Sequence, residues 1–87
     1  MDSIKSEFDS AVERVNNLPP QPTNVQLELY GLYKQALFGD VTGERPGRLK
    51  VRERAKYDEW AARKGMTKEE AMKAYIEVSE RLENAHK

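Results

Sequence analysis

TKEEAMKAYIEVSERLENA, residues 67–85, contains the strongest helix signal in this sequence. Its apolar side chains recur at alternating spacings of four and three, the period of one helix face; they are Ala71, Tyr75, Val78, Leu82 and Ala85. Thr67 and Glu70 have the spacing of a capping box, in which each side chain satisfies a backbone N–H at the helix start. The stretch therefore predicts a long amphipathic helix that begins after Thr67.

Three more helices are predicted upstream, and no strand pattern competes with them. The first runs from about residue 3 to residue 17, before prolines that stop it. The second spans about 23–38, with a capping box at Thr23 and Gln26 and a stop at Gly39. Its apolar residues cover more than one stripe, so we expect neighbours on two sides, or a neighbour on one side and a ligand on the other. The third covers about 50–64 and is closed by Gly65.

Length and charge limit what such a chain can be. Its 87 residues suffice for one all-α domain, 1–87, whose thin core leaves a ligand to lie in a groove. Basic and acidic residues both number 15, so the net charge is zero. Residues 44–68 nevertheless carry nine basic and four acidic side chains. One positive region on an otherwise acidic chain predicts a localised anion site.

Several kinds of chemistry are excluded by composition. Without cysteine there is no disulfide, no thiolate nucleophile and no cysteine-ligated metal. The one histidine, His86, has no sequence neighbours that would complete a metal site or a catalytic triad. No secretory signal or stretch of membrane-spanning length is present. We therefore expect a soluble, cytoplasmic protein that is not an enzyme and uses no cofactor or metal.

One constellation does suggest binding chemistry. Tyr30, Tyr33 and Lys34 fall at i, i+3 and i+4 of the second helix and share one face. Hydroxyl and ammonium donors there would suit a phosphate monoester, with aromatic rings to flank a nucleotide. The alternative is that both tyrosines are core residues and Lys34 extends to water. Periodicity alone favours that alternative.

Five short motifs occur in order along the chain: Tyr30-x-x-Tyr33-Lys34-Gln35-Ala36, Gly39-Asp40, Glu44-Arg45-Pro46-Gly47, Ala55-Lys56-x-Asp58-x-Trp60 and Ala71-Met72-x-x-Tyr75-Ile76. This series resembles the acyl-CoA-binding protein family from about Phe8 to Leu82. The resemblance implies a four-helix bundle of up-down-down-up type. It also implies one-to-one, non-enzymatic binding of medium- to long-chain acyl-CoA for transport or buffering.

The resemblance also assigns ligand contacts. Tyr30, Lys34 and Lys56 would hold the 3′-phosphate and adenine, Tyr75 would contact the coenzyme, Tyr33 would line the site, and Leu27 and Leu29 would line the groove for the acyl tail. Asn16 stands where the family commonly has a basic residue, and Arg14 is expected to substitute for it. Val12 and Arg14 are minor candidates.

Other departures from the family pattern concern the third helix. Tyr57 stands where tryptophan is common, and Arg48 and Val51 replace bulkier apolar residues, which predicts a narrower or more polar tail groove.

A second hypothesis comes from another functional class. The basic third helix of a helical interaction module would dock on an acidic partner, a membrane surface or nucleic acid. Zero net charge and the lack of a recognised motif make the nucleic-acid version weak. We accordingly expect acyl-CoA as the ligand, no nucleic-acid partner, at most transient membrane contact, and a monomer.

Overall fold

Helices α1 (Ser3–Asn16), α2 (Thr23–Phe38), α3 (Val51–Ala61) and α4 (Lys68–Ala85) form the structure. The computed structural model describes residues 3–86, and this part of the chain contains no strand. None of its helices combines the length and the apolar character needed to cross a membrane. The all-α prediction is confirmed.

The helix directions follow from contacts between their ends. Gln35 near the end of α2 donates to the Met66 carbonyl just before α4, while Arg81 near the end of α4 lies 3.7 Å from Glu28. Helices α2 and α4 are therefore antiparallel. Phe38 meets Trp60 at the ends of α2 and α3, so those two helices run in the same direction. Arg14 near the end of α1 binds Glu83 near the end of α4, so those two helices are parallel. The result is the predicted up-down-down-up bundle.

Helix α2 is the centre of the packing. It lies against α3 on one side and α4 on the other, which is the first of the two arrangements predicted from its apolar residues, while α1 packs on α4. The buried core comes from α1, α2 and α4, and its members are Phe8, Ala11, Leu29, Leu32, Ala36, Ala71, Met72, Tyr75 and Val78. Helix α3 buries none of its residues. Its position must therefore depend on a few specific contacts with α2.

The two predicted capping boxes have different outcomes. At α4 the box is complete: Thr67 Oγ1 accepts from the Glu70 N–H, and Glu70 Oε1 accepts from the Thr67 N–H. The prediction of a capping box at α2 is wrong, because Thr23 is already the first helical residue and Pro22 occupies the N-cap position. The Pro22 carbonyl accepts from the Val25 and Gln26 N–H groups instead.

The third helix is shorter than predicted. It ends at Ala61 rather than at residue 64. The N–H groups of Arg63 and Lys64 bond to carbonyls three residues back, so the chain tightens into turns before Gly65, whose φ is +97°. Glycine tolerates this left-handed backbone, which lets the chain turn towards α4.

The ends of α2, α3 and α4 are joined by a small polar junction. Gln35 is fully buried and donates through Nε2 to Asp40 Oδ1 and to the Met66 carbonyl, both at 2.9 Å. Asp40 Oδ1 also accepts from the Gly65 N–H at 2.9 Å. Both hydrogen bonds to Asp40 lower the pKa of its carboxyl group, and the bond from the Gly65 N–H contributes more than the bond from Gln35. The junction thus fixes where the chain leaves α2 and enters α4.

Gly31 sets the distance between α2 and α3. A Cβ atom placed on this buried residue would lie 2.8 Å from the backbone oxygen of Glu59 and 3.0 Å from its carbonyl carbon. A backbone cannot move aside as the end of a flexible side chain can. Only glycine at this position lets the two helices approach as closely as they do. The second attachment is a hydrogen bond of 2.8 Å from Trp60 Nε1 to the Gly39 carbonyl.

Gly31→Ala tests this close approach. Replacing glycine with alanine inside a helix ordinarily stabilises it by about 1 kcal/mol. Here the added methyl group would push against the α3 backbone, so we expect a net destabilisation of about 1–2 kcal/mol, in the range of overpacked sites. Urea unfolding monitored by circular dichroism measures the change.

Gly47→Ala is the matched control, because a Cβ there meets nothing within 4 Å and the φ of Gly47 is not left-handed. It should leave the unfolding free energy nearly unchanged. A stabilised Gly31→Ala protein would contradict the proposed constraint.

Candidate functional site

The exposed edge between α2 and α3 carries a cluster of cations and aromatic rings. Lys34 Nζ lies 4.3 Å from the centre of the Phe38 ring and 4.9 Å from that of Trp60. Tyr30, one turn earlier on α2, has its ring centre 5.9 Å from the same ammonium. Lys34 is therefore held over aromatic faces, which attract a cation through the ring quadrupole.

Lys56 reaches the same place from α3. Its Nζ lies 5.4 Å from the centre of the Tyr30 ring, so both ammonium groups lie within 6 Å of that ring. No carboxylate of residues 3–86 forms a salt bridge with either lysine. Two unpaired positive charges that converge on one ring repel each other and would be relieved by a bound anion. We call Tyr30, Lys34, Phe38, Lys56 and Trp60 the cationic cluster.

A groove of about 420 Å³ opens on one side of Tyr30, between α1, α2 and α4. We call it the tyrosine groove, because Tyr30, Tyr33 and Tyr75 all line it. Its other lining residues are Val12, Val15, Asn16, Leu18, Pro19, Pro20, Gln21, Gln26 and Leu29. The walls combine phenol groups with small apolar side chains, which suits a ligand with both polar and flat apolar parts.

Tyr75 forms the base of the tyrosine groove. Tyr75 is 4% exposed, and its ring packs edge-on against the Phe8 ring with the two ring centroids 5.2 Å apart. Burial, with a smaller contribution from Tyr33, raises the pKa of the Tyr75 phenol to about 12. Within residues 3–86 its hydroxyl has no hydrogen-bond partner. The phenol is thus a neutral donor available to a ligand in the groove.

A second groove, of about 570 Å³, lies on the other side of Tyr30 between α2 and α3. We call it the interhelix groove, and it is lined by Thr23, Gln26, Leu27, Tyr30, Val51, Arg52, Ala55 and Lys56. Tyr30 and Gln26 line both grooves. The two grooves therefore meet beside the cationic cluster, and together they offer space for an elongated ligand with an anionic middle or end.

The predicted site residues divide between these features. Tyr30, Lys34 and Lys56 lie together in the cationic cluster. Tyr33, Tyr75, Leu29 and Val12 line the tyrosine groove, whereas Leu27 lines the interhelix groove. The two leucines assigned to the acyl tail therefore lie in different grooves, because residues two apart on a helix point in different directions.

Arg14 is not brought to the site. Its Nε donates to Glu83 at 3.0 Å and its Nη1 donates to Ser10 at 2.8 Å. It lines a separate depression with Ser6, Glu7, Ile76 and Glu80. The expectation that Arg14 replaces a basic residue missing at Asn16 has no support in this geometry, although Asn16 itself lines the tyrosine groove.

Some lining residues were not among the predicted ligand contacts. Phe38 follows Lys34 at i+4 on α2, so the contact between these two side chains could be predicted from their spacing alone. Gln26 lines both grooves and does not complete the predicted capping box at Thr23. The approach of Trp60 to Lys34 depends on how α3 packs on α2, which no local pattern contains.

The arrangement suits anion binding and apolar contact. The ammonium groups and phenol hydroxyls can donate to phosphate oxygens. In the part of the chain that the structure describes, no group of three or more histidine, cysteine, aspartate or glutamate side chains is placed to hold a metal ion.

Comparison with known sequences agrees with this chemistry. The sequence model of the family described as "Acyl CoA binding protein" matches residues 5–79, most of the chain. The chain belongs to the acyl-CoA-binding protein family.

Two members of the acyl-CoA-binding protein family are similar to this chain over most of their length. The chain is 50% identical over 84 residues to "Acyl-CoA-binding domain-containing protein 6" of Arabidopsis thaliana, covering 94% of this chain and 91% of that protein. It is 50% identical over 74 residues to "Acyl-CoA-binding protein" of Gossypium hirsutum, covering 84% and 83%. These matches do not favour the alternative of a general interaction module.

A solved structure from the family has the same fold. The crystal structure of Oryza sativa acyl-CoA-binding protein 2 superimposes with a TM-score of 0.92 at 41% identity, covering 98% of this chain and 95% of that one. Both the resemblance inferred from the five motifs and the up-down-down-up bundle are confirmed.

Tyr75→Phe tests the state of the buried phenol. Because the pKa rises from 10.0 to about 12 on folding, the unfolded chain ionises first. The phenol's contribution to stability is complete below about pH 10 and is lost as the pH rises towards about 12. We expect urea unfolding between about pH 8 and about pH 11 to show a shallower alkaline loss of stability in Tyr75→Phe than in the wild type.

Tyr57→Phe is the control, since it removes the hydroxyl of a tyrosine on α3, a helix that contributes no residue to the buried core. It should retain the wild-type alkaline slope. Equal slopes in the wild type and Tyr75→Phe would show that Tyr75 is not the buried group inferred here.

Proposed function

We propose that this protein is a non-enzymatic carrier that transports or buffers medium- to long-chain acyl-CoA esters in the cytoplasm. The observation that carries the proposal is the convergence of Lys34 and Lys56 on the Tyr30 ring, at the place where the two grooves meet. An acyl-CoA ester combines phosphate groups, a flat adenine ring and a long apolar tail. Each part has a counterpart on the protein surface.

The cationic cluster would hold the 3′-phosphate. Lys34 and Lys56 supply charge, and Tyr30 supplies a hydroxyl and a ring face for the adenine. The aromatic rings of Phe38 and Trp60 restrict the Lys34 ammonium before any ligand arrives. Restricting a long side chain in advance lowers the entropic cost of binding.

The tyrosine groove is the proposed place for the rest of the coenzyme. Tyr33 is 36% exposed and stacks on Phe8 with ring centroids 6.0 Å apart, which fixes its orientation. Tyr75 offers its hydroxyl from the base of the groove, and Leu29 and Val12 offer apolar contact. A nucleotide placed here would contact α1, α2 and α4 together.

The interhelix groove is the proposed place for the acyl tail. Leu27, Val51 and Ala55 form its apolar walls. Burying a methylene contributes roughly 0.8 kcal/mol, so about ten shielded methylenes supply roughly 8 kcal/mol before the costs of association. A charge-assisted hydrogen bond contributes only about 1.5–3 kcal/mol. The tail would therefore supply most of the affinity, and the cationic cluster would supply orientation and selection of the nucleotide.

The proposal includes no reaction at the thioester. The one histidine, His86, lies at the end of α4, where its ring contacts Gln21 at 3.2 Å. It lines neither groove. Since one chain forms both grooves, we propose that a monomer binds one ligand and has no need of a cofactor.

Lys34→Ala and Lys56→Ala test the phosphate assignment by isothermal titration with two ligands, palmitoyl-CoA and palmitoyl-3′-dephospho-CoA. Each variant should bind palmitoyl-CoA at least about tenfold more weakly, because a charge-assisted contact is lost. The same variants should bind the dephosphorylated ligand about as well as the wild type does. Thermal unfolding should remain nearly unchanged.

Arg54→Ala is the matched control, since Arg54 is a cation of the same helix that lines neither groove. It should bind both ligands like the wild type. Wild-type affinity of both lysine variants for palmitoyl-CoA would remove the proposed site.

A further inference from the structure

Gln26 lies at the place where the two grooves join. Of residues 3–86, two line both the tyrosine groove and the interhelix groove, and they are Gln26 and Tyr30. Tyr30 follows Gln26 by four residues on α2, which is about one helical turn. Gln26 is exposed, so a ligand can reach it. A ligand that occupies both grooves must therefore pass this side chain.

Hydrogen bonds in the loop before α2 orient the Gln26 amide. Its Nε2 donates to the backbone carbonyl of Gln21 at 2.6 Å. Gln21 is itself held, because its own Nε2 donates to the Pro19 carbonyl at 2.7 Å. The loop thus fixes which end of the Gln26 amide is the nitrogen and which is the oxygen. A side chain that is restricted in advance loses less entropy when a ligand binds.

The Gln26 amide keeps one donor and one acceptor for a ligand. A glutamine side chain has two N–H donors and a carbonyl oxygen. Within residues 3–86 Nε2 makes one hydrogen bond, to Gln21, and Oε1 accepts none. A donor beside an acceptor is the complement of another amide group, which can bond to both at once. A phosphate oxygen would use the donor alone, and a methylene group would use neither.

An acyl-CoA ester carries amide groups in the part that connects its nucleotide to its tail. This part is the pantetheine arm, which contains two amides. The proposed function places the coenzyme in the tyrosine groove and the acyl tail in the interhelix groove, so the arm has to cross at Gln26. We propose that Gln26 binds an amide group of the pantetheine arm. This inference rests on the proposed function and adds a residue that recognises the arm.

The contact gives the site a basis for selection that differs from charge and from apolar burial. Lys34 and Lys56 can attract any phosphate, and the interhelix groove can accept any apolar chain of suitable width. Gln26 favours a ligand in which amide groups separate the two. A fatty acid has no such arm, and neither has a nucleotide of the same charge.

Isothermal titration of Gln26→Met with two ligands tests the contact. Methionine keeps an unbranched side chain of similar length but has no N–H and a weak acceptor. The ligands are palmitoyl-CoA and an analogue in which ester oxygens replace both amide N–H groups of the arm. The wild type should bind the analogue about fivefold more weakly than palmitoyl-CoA, because a neutral hydrogen bond is lost. Gln26→Met should bind palmitoyl-CoA about fivefold more weakly than the wild type and should bind the two ligands equally.

Asn24→Ala is the matched control, since Asn24 is an exposed amide of the same helix that lines neither groove. It should bind palmitoyl-CoA like the wild type and keep the same preference over the analogue. Any general effect of removing an amide from α2 would appear in this variant as well.

Two results would overturn the assignment and leave the proposed function intact. The first is a wild-type protein that binds palmitoyl-CoA and the analogue equally. The second is a Gln26→Met protein that keeps the full preference for palmitoyl-CoA, even if it binds both ligands more weakly, since that would indicate a disturbed loop. A wild-type protein that does not bind palmitoyl-CoA would overturn the proposed function and this assignment with it.

Discussion

The contact between Gly31 of α2 and the Glu59 backbone of α3 is the constraint on which the site depends. Helix α3 buries no residue of its own, and α2 is the helix it packs against. Yet α3 supplies Lys56 and Trp60 to the cationic cluster. A methyl group at position 31 would separate the two helices, and the ammonium of Lys56 would move with α3. A residue with no side chain thus sets the geometry of a binding site.

The thinness of the molecule explains why the site is open. The bundle measures 38 × 31 × 15 Å, so its shortest dimension is about half of the next. A closed cavity for a long ligand does not fit in such a body, and two grooves that meet at Tyr30 take its place. The unpaired lysines lie beside Tyr30, so a phosphate group of the ligand would be recognised where the two grooves meet.

Local patterns predicted the parts of this structure that depend on local physics. The complete capping box at Thr67, the stop at Gly39 and the shared face of Tyr30 and Lys34 all follow from spacings within one helix. Thr23 has the same capping pattern and fails, because Pro22 takes the cap position. Helix α3 ends early because turns begin before Gly65, and periodicity carries little information in a helix with few apolar residues.

Features that depend on packing between helices could not be predicted from local sequence patterns. The approach of Lys56 to Tyr30 follows from the Gly31 contact, and it was expected only through the family resemblance. The division of Leu27 and Leu29 between two grooves depends on which faces of α2 are covered by α3 and α4. Arg14 is oriented by Glu83, which lies 69 residues away in the chain.

Parallel titration of the purified protein with palmitoyl-CoA, free CoA and palmitate tests the central claim most directly. A ligand that occupies both grooves and the cationic cluster should bind far more tightly than either of its halves. We predict one-to-one binding of palmitoyl-CoA, with free CoA and palmitate at least about a hundredfold weaker, since each forfeits several kcal/mol of contacts. Palmitate that binds as tightly as palmitoyl-CoA, or palmitoyl-CoA that does not bind the folded protein, would contradict the account.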